Sequence, residues 1–182
     1  MKIRTHSVDE TRSVAAALAS ILLPGDLVVL DGDLGGGKTA FVQGACAALG
    51  VRDPVTSPTF TIVQEYAAPV PVVHVDAYRL QSAQELHDLG FDELADGDHI
   101  VFVEWGSRVL AALPPDHLTV AIDVATEGWV EGTGPVDLGP TRDQSIAPDD
   151  RLLRVSVHGP HWHTRARSVA TALAHHLHPA GG

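Results

Sequence analysis

The sequence contains one cysteine, Cys46, in 182 residues. A single thiol cannot form a disulfide within the chain, so the disulfide framework of small secreted domains is excluded. No apolar run approaches the roughly 18 residues that a membrane span needs. The first ten residues, MKIRTHSVDE, also carry no hydrophobic segment after their basic residues. We therefore expect no signal peptide, no membrane association and a cytoplasmic protein.

Basic residues are scarce as well. Twelve Lys and Arg residues stand against 23 Asp and Glu, which gives a formal net charge of −11. Proteins that bind nucleic acid by themselves usually present a basic face, and this sequence has no basic run. If RNA is involved in the function, we expect another protein to hold it.

A glycine-rich segment dominates what is present. Residues 32–39 read GDLGGGKT and match the Walker A pattern G-x-x-x-x-G-K-[ST] at every defined position. An apolar run precedes the segment and a helical pattern follows it, as a phosphate-binding P-loop requires. Glycines let backbone N–H groups approach phosphate oxygens, the lysine reaches the β and γ phosphates, and the threonine hydroxyl binds Mg²⁺. The predicted nucleotide contacts are Gly32, Asp33, Leu34, Gly35, Gly36, Gly37, Lys38, Thr39 and Ala40.

The fold follows from the alternation of short apolar runs with helical patterns. This alternation predicts one α/β domain over 1–182, with a P-loop NTPase-like mixed β-sheet and helices on both faces. The glycine-containing and acidic stretch 125–150 is predicted to be a surface-loop insert, and 161–178 a C-terminal helix. Predicted strands are 26–30, 59–66, 71–78, 99–105, 117–124 and 151–159; the other predicted helices are 7–22, 38–49 and 82–90.

Two acidic residues end apolar stretches and are candidates for a second Mg²⁺ anchor. Glu104 closes HIVFVE, and Asp76 follows VVHV. A buried carboxylate without a partner is costly, so a nearby cation would explain either one. Thr59 lies in TSPTF, where P-loop enzymes place a segment that senses the γ phosphate.

These motifs together resemble a known family. GDLGGGKTAF, SPTFTIVQEY, HVDAYRL, ELHDLGFDEL and VEWGSR occur in this order with short spacings. They are similar to the bacterial TsaE (YjeE-type) P-loop ATPases of tRNA threonylcarbamoyladenosine biosynthesis. The resemblance is clearest over 28–108 and looser over 7–159. One departure is Ala40, where the family often has Thr; Thr39 keeps the metal role, so we expect little effect.

The resemblance implies an ATP- and Mg²⁺-dependent hydrolase that is weak alone. It implies two protein partners, TsaB and TsaD, which carry the transferase centre and meet tRNA, so that this chain contacts tRNA only indirectly. The implied role is to reset that complex between turnovers. Lys38 and the loop glycines would hold phosphates, Thr39 and Glu104 would hold Mg²⁺, and Asp76 would take part in hydrolysis.

Other roles are less defined by the resemblance. Trp105 is expected to pack beside the site. Three residues are expected to shape the pocket or a partner face, with Arg79 as a possible charge stabiliser: His74, Tyr78 and Arg79. We expect the partner surface on the SPTF side and around ELHDLGFDEL.

Two other functions stay open at this point. A P-loop small-molecule kinase usually has an Arg-rich lid, whereas Arg79 and Arg108 are the arginines near the core motifs. A non-enzymatic ATP-sensing scaffold would share every nucleotide-binding residue with a weak ATPase. A GTPase is disfavoured because no N-K-x-D base-reading motif occurs.

Overall fold

Four parallel strands form the centre of the molecule. The computed structural model describes residues 1–95, 97–125 and 149–177. The central strands, in sheet order, are β6 (His117–Val124), β2 (Leu27–Asp31), β5 (Ile100–Glu104) and β4 (Val72–Asp76). Strands β2, β4 and β5 are near-continuous apolar runs, and their residues are almost all buried. This is the pattern expected of parallel strands covered on both faces.

Antiparallel strands extend the sheet on either side. The strand β3 (Val63–Tyr66) pairs with β4, while β7 (Arg151–His158) pairs with β6 and β1 (Lys2–Thr5) pairs with β7. The described residues thus form a seven-stranded sheet in the order β1-β7-β6-β2-β5-β4-β3. The predicted mixed α/β sheet is confirmed.

Helices cover both faces of this sheet. Three pack on one face: α1 (Val8–Ala19), α2 (Lys38–Ala48) and α5 (Gly159–Ala172). The other face is covered by α3 (Ala83–Asp88), α4 (Phe91–Ala95) and a 3₁₀ segment, Gly106–Ala112. Because successive side chains alternate along a strand, β2 divides between the two cores. Val28 and Leu30 face the first core, and Leu27 and Val29 the second.

The same alternation places the polar strand residues. Val72 and Phe102 belong to the core on the α2 face. Two-residue periodicity therefore puts His74 and Asp76 of β4, and Glu104 of β5, toward that face as well. His74 is paired with Phe102, and Asp76 with Glu104, in the parallel register. The acidic residues that end these strands are thus neighbours.

Several predicted boundaries were wrong. The strand predicted over 59–66 begins only at Val63, because Ile62 has a φ of 66° and its N–H bonds to the carbonyl of Pro58. The helix predicted over 82–90 ends at Asp88, and Gly90, with a φ of 74°, separates α3 from α4. Strand β1 was not predicted.

Two predicted segments reach outside the described residues. Of the insert predicted at 125–150, residues 126–148 lie there. Where the chain is described on either side, the N–H of Ala125 donates to the carbonyl of Asp150. The C-terminal helix predicted at 161–178 is described as α5, which begins at Gly159, followed by a 3₁₀ turn at Ala174–His176. In the described part of the chain, no helix has the length and apolar character to cross a membrane.

Candidate functional site

The glycine-rich loop 32–37 connects the end of β2 to the start of α2. It therefore lies at the edge of the sheet where the parallel strands β2, β4 and β5 all end. In open α/β sheets this edge is where ligands bind.

Two glycines of the loop are needed for different structural reasons. A Cβ on Gly32 would collide with the carbonyl oxygen of Ile122 on β6, so glycine is required there for packing. Gly37 has a φ of 108°, and a Cβ built on it would meet open space. It is the N-cap of α2 and supplies no side-chain cap. The first N–H groups of α2 are thus left for another acceptor, since a helix start has four N–H groups without partners inside the helix.

Lys38, the first residue of α2, is directed back over the loop. Its Nζ donates to the carbonyl oxygens of Gly32, at 2.9 Å, and Asp33, at 2.8 Å. The Nζ atom also lies 3.6 Å from the centre of the Trp105 ring. Lys38 is 4% exposed. Burial lowers its pKa, and four nearby carboxylates oppose that shift: Glu104, Asp31, Asp76 and Asp33.

Glu104 is the point where three elements meet. The hydroxyl of Thr39, on α2, donates to Glu104 Oε1 at 2.8 Å. The Nε2 atom of His74, on β4, lies 2.9 Å from the same oxygen. His74 is fully buried, and its Nδ1 has no hydrogen-bond partner among the residues that the structure describes. This favours the tautomer that carries its proton on Nε2 and donates it to Glu104.

Asp76 has a separate set of donors. Its Oδ2 accepts from the hydroxyls of Ser57, at 2.8 Å, and Thr59, at 2.9 Å. Its Oδ1 accepts the backbone N–H of Tyr78 at 3.0 Å. The burial expected for Asp76 is observed, at 4% exposure. These three hydrogen bonds satisfy the carboxylate without a cation, so burial alone does not require one.

The predicted residues fall into three groups. Lys38, Thr39 and Glu104 come together directly at the end of the sheet, and Asp76 with Thr59 lies beside them. Loop residues contribute in different ways: the carbonyl of Asp33 accepts from Lys38, while the side chain of Leu34 is 78% exposed. The remaining predicted contacts are backbone positions of the loop or of the first turn of α2: Gly35, Gly36 and Ala40.

Sequence reasoning missed several contacts. The bond from His74 to Glu104 could have been anticipated from the spacing of H-x-D, which puts His74 and Asp76 on one strand face. Ser57 was not singled out, although it lies in the same SPTF motif as Thr59. Arg151, on β7, donates from Nε to the carbonyl of Gly36 at 3.1 Å. No local pattern marks Arg151, because it reaches the loop from a distant strand.

The oxygen pair of Thr39 and Glu104 fits a magnesium ion. Mg²⁺ takes oxygen ligands about 2.0–2.1 Å away in octahedral geometry, so two adjacent ligands lie roughly 2.9 Å apart. The observed separation of Thr39 Oγ1 and Glu104 Oε1 is 2.8 Å. In nucleotide sites Mg²⁺ is held by one or two side chains together with phosphate and water. No group of three or more His, Cys, Asp or Glu side chains suited to a metal occurs within 1–95, 97–125 and 149–177.

Comparison with known proteins gives a consistent result. The family model "Threonylcarbamoyl adenosine biosynthesis protein TsaE" matches residues 5–129. The proteins named tRNA threonylcarbamoyladenosine biosynthesis protein TsaE include similar sequences from Bacillus subtilis and Streptomyces coelicolor. The first is 42% identical over 67% of this chain and 77% of its own length. The second is 43% identical over 63% of this chain and 79% of its own length.

A solved structure extends the likeness beyond the matched motifs. The crystal structure of Bacillus subtilis YdiB has a TM-score of 0.72 and 28% sequence identity, and the likeness covers 94% of both chains. A TsaE protein from Treponema pallidum is 35% identical over 70% of this chain and 95% of its own length. By motifs, fold and sequence, this chain belongs to the TsaE family.

Proposed function

We propose that the protein is a Mg²⁺-dependent ATPase that acts in tRNA threonylcarbamoyladenosine biosynthesis. The observation that carries the proposal is the junction of Lys38, Thr39 and Glu104 at the end of the sheet, behind an uncapped helix start. Weak hydrolysis alone and faster hydrolysis with partners is the behaviour we expect.

The loop and the start of α2 would bind the phosphates. The first N–H groups of α2, which the side chain of its N-cap residue does not cap, favour anionic oxygens, and the helix dipole adds to that preference. Lys38 supplies a positive charge to the β and γ phosphates. The hydrogen bonds from its Nζ to the carbonyls of Gly32 and Asp33 hold the side chain over the loop.

Thr39 and Glu104 would hold the metal ion. Mg²⁺ bound there would neutralise charge on the phosphate oxygens. His74 keeps Glu104 Oε1 turned toward Thr39, because its Nε2 bonds to the same oxygen. A hydrogen bond donated to a metal-binding carboxylate fixes the orientation of that carboxylate.

Asp76 would orient the attacking water and accept its proton. Ser57 and Thr59 hold one carboxylate oxygen, and the backbone of Tyr78 holds the other. A carboxylate has about four acceptor sites, so the group can accept a further hydrogen bond while its position stays fixed. A general base of this type contributes about 10²- to 10⁴-fold to a rate.

The partners we propose are TsaB and TsaD, and the ATPase cycle would reset their complex between turnovers. The net charge of −11 supports a role in which tRNA is held by the partners. As the docking region we propose the surface around Phe60 and α3. Phe60 is 89% exposed, and the guanidinium of Arg79 lies 5.8 Å from the centre of its ring.

The first test is ATP hydrolysis by the purified protein, alone and with TsaB and TsaD, with and without Mg²⁺. We expect low turnover alone, a clear increase with both partners, and loss of turnover in Glu104→Ala. Glu65→Ala, at an exposed position of β3, is the matched control and should behave as wild type.

The outcomes separate the proposal from the other candidates. Stable ATP binding without turnover, under all conditions, would indicate a nucleotide-sensing scaffold. An ATP turnover rate that folded TsaB and TsaD do not change would contradict the role in this pathway. Small-molecule phosphoryl acceptors would then be screened for kinase activity.

A further inference from the structure

The ammonium group of Lys38 has close contacts with two carbonyls and one aromatic ring. It has three N–H bonds, and the carbonyls of Gly32 and Asp33 accept two of them. The face of Trp105 lies against it, with the ring centre 3.6 Å from Nζ. At that separation no other heavy atom fits between the nitrogen and the ring. Lys38 as a whole is 4% exposed, so little of the residue is open to solvent.

This arrangement conflicts with direct phosphate binding by Lys38. The two carbonyl bonds come from the loop itself and hold the side chain over it. A phosphate oxygen that contacts Nζ must therefore take the place of the Trp105 ring. An aromatic face satisfies a cation less well than an anionic oxygen does, since it offers only its quadrupole.

The backbone of Trp105 is firmly held, which limits how the ring can leave. Its N–H donates to the carbonyl of Leu30 at 2.8 Å, and its φ is 60°, which is unusual for a residue other than glycine. Ser107 donates from both its N–H and its hydroxyl to Asp31, at 3.1 and 2.9 Å. Gly106 is pressed against Val29, where a Cβ would clash.

Movement is thus restricted to the side-chain torsions of Trp105. The residue is partly exposed, so rotation of the ring toward solvent is open to it. Tyr78 is its aromatic neighbour, with ring centres 5.1 Å apart.

We propose that Trp105 is a placeholder for phosphate: its ring occupies the phosphate position on Lys38 and is displaced when a nucleotide binds. The inference rests on the nucleotide site proposed above. The nucleotide competes with the cation–π contact, so this contact weakens the affinity. A cation–π contact of ordinary strength corresponds to roughly a 2- to 30-fold change in an equilibrium constant.

The expected signature is tighter binding when the ring is removed. Trp105→Leu should bind ADP and the non-hydrolysable analogue AMP-PNP, each with Mg²⁺, roughly 2- to 30-fold more tightly than wild type. Trp105→Phe keeps a ring with a weaker attraction for cations and should fall between the two. A ring that simply formed a wall of the bound site would give weaker binding on truncation.

Tryptophan fluorescence gives a second readout that does not depend on activity. The chain has three tryptophans, so the Trp105 signal is the difference between wild type and Trp105→Phe. We expect this signal to change on titration with ADP and Mg²⁺. The dissociation constant from the fluorescence titration should equal the one measured by calorimetry. Without nucleotide, Lys38→Met should already shift the Trp105 signal, because the cation that holds the ring is gone.

The results distinguish the inference from the proposed function. If nucleotide binds and the Trp105 signal does not change, the placeholder proposal is overturned and the ATPase proposal stands. The same holds if folded Trp105→Leu binds nucleotide more weakly than wild type. If folded wild-type protein binds no nucleotide, both are overturned. Urea unfolding of each variant establishes folding, and Trp105→Phe keeps the affinity test available if Trp105→Leu does not fold.

Discussion

Two groups of buried carboxylates lie at opposite ends of β2. Asp26 comes just before the strand begins, whereas Glu104 and Asp76 lie beside its other end. Their exposures are nearly equal, at 3%, 3% and 4%. Burial therefore does not distinguish these residues. They differ in the groups that donate hydrogen bonds to them.

Asp26 is neutralised by a protein cation. Arg165, on α5, donates to both of its oxygens, at 2.6 and 2.9 Å, and the N–H of Leu23 donates to one of them. A further bond from Arg165 reaches the carbonyl of Ile21, and its guanidinium carbon lies over the Trp162 ring, 4.3 Å from the ring centre. The bidentate ion pair of Arg165 and Asp26 connects α5 to the residue that precedes β2.

Glu104 and Asp76 have donors of another kind. Hydroxyls, a histidine and a backbone N–H hold them, and among the described residues no Lys or Arg forms an ion pair with either. We propose that the acid paired with arginine has a structural role, and that the two acids held by hydroxyls, a histidine and a backbone N–H are prepared for a ligand.

The largest effect should come from breaking the structural pair. Asp26→Ala leaves Arg165 largely buried without its counter-charge, and we expect a loss of roughly 3–5 kcal/mol in the free energy of unfolding. Urea unfolding followed by circular dichroism measures it. Asp9→Ala, which removes the exposed pair with Arg12, is the control and should change stability by about 0.5 kcal/mol or less. Equal effects of the two substitutions would contradict the assignment of Asp26.

The opposite pattern is expected for Asp76. Asp76→Asn removes the charge, while the hydroxyls of Ser57 and Thr59 can reverse their donor and acceptor roles and keep the bonds. We expect ATP turnover to fall about 10²-fold or more, with a urea midpoint close to that of wild type. Steady-state phosphate release measures turnover. Loss of stability with unchanged turnover would place Asp76 in the structural class with Asp26.

His74 offers a finer test of how Glu104 is oriented. His74→Phe removes the donor to Glu104, so we expect half-maximal activity to need roughly 10-fold more Mg²⁺. His74→Gln can still donate and should recover part of that loss. Magnesium titrations of phosphate release compare the two variants. If both behave as wild type, His74 does not position the metal ligand.

The smallest effect concerns the support of the loop by β7. Arg151→Gln removes the bond from Nε to the carbonyl of Gly36, and we expect nucleotide affinity to weaken by a few-fold, equivalent to about 1 kcal/mol. Calorimetry with ADP and Mg²⁺ measures the change. Arg154→Gln, on the same strand and paired with Asp123, is the matched control. Equal nucleotide affinities of the two variants would show that the bond from Arg151 to Gly36 does not support nucleotide binding.

The part of the site that the sequence predicted is local. Residues 32–39 are consecutive, so the motif alone places Lys38 and Thr39 next to a glycine loop and at a helix start. The H-x-D spacing puts His74 and Asp76 on one strand face in the same way. Boundaries were weaker where backbone conformation departs from the residue pattern, as at Ile62, whose positive φ delays β3.

The sequence by itself determined the α/β class, the glycine-rich loop before α2 and the acids that end β4 and β5, because each depends on neighbours along the chain. Only the tertiary structure decided that His74 bonds to Glu104, that Trp105 covers Lys38 and that Arg151 braces the loop. It also decided that Asp26 is bound by Arg165 while Asp76 is held by hydroxyls. These contacts depend on the order of strands in the sheet and on the register between them. Strand order is set by long-range packing, to which a local run of apolar residues contributes without specifying its partner.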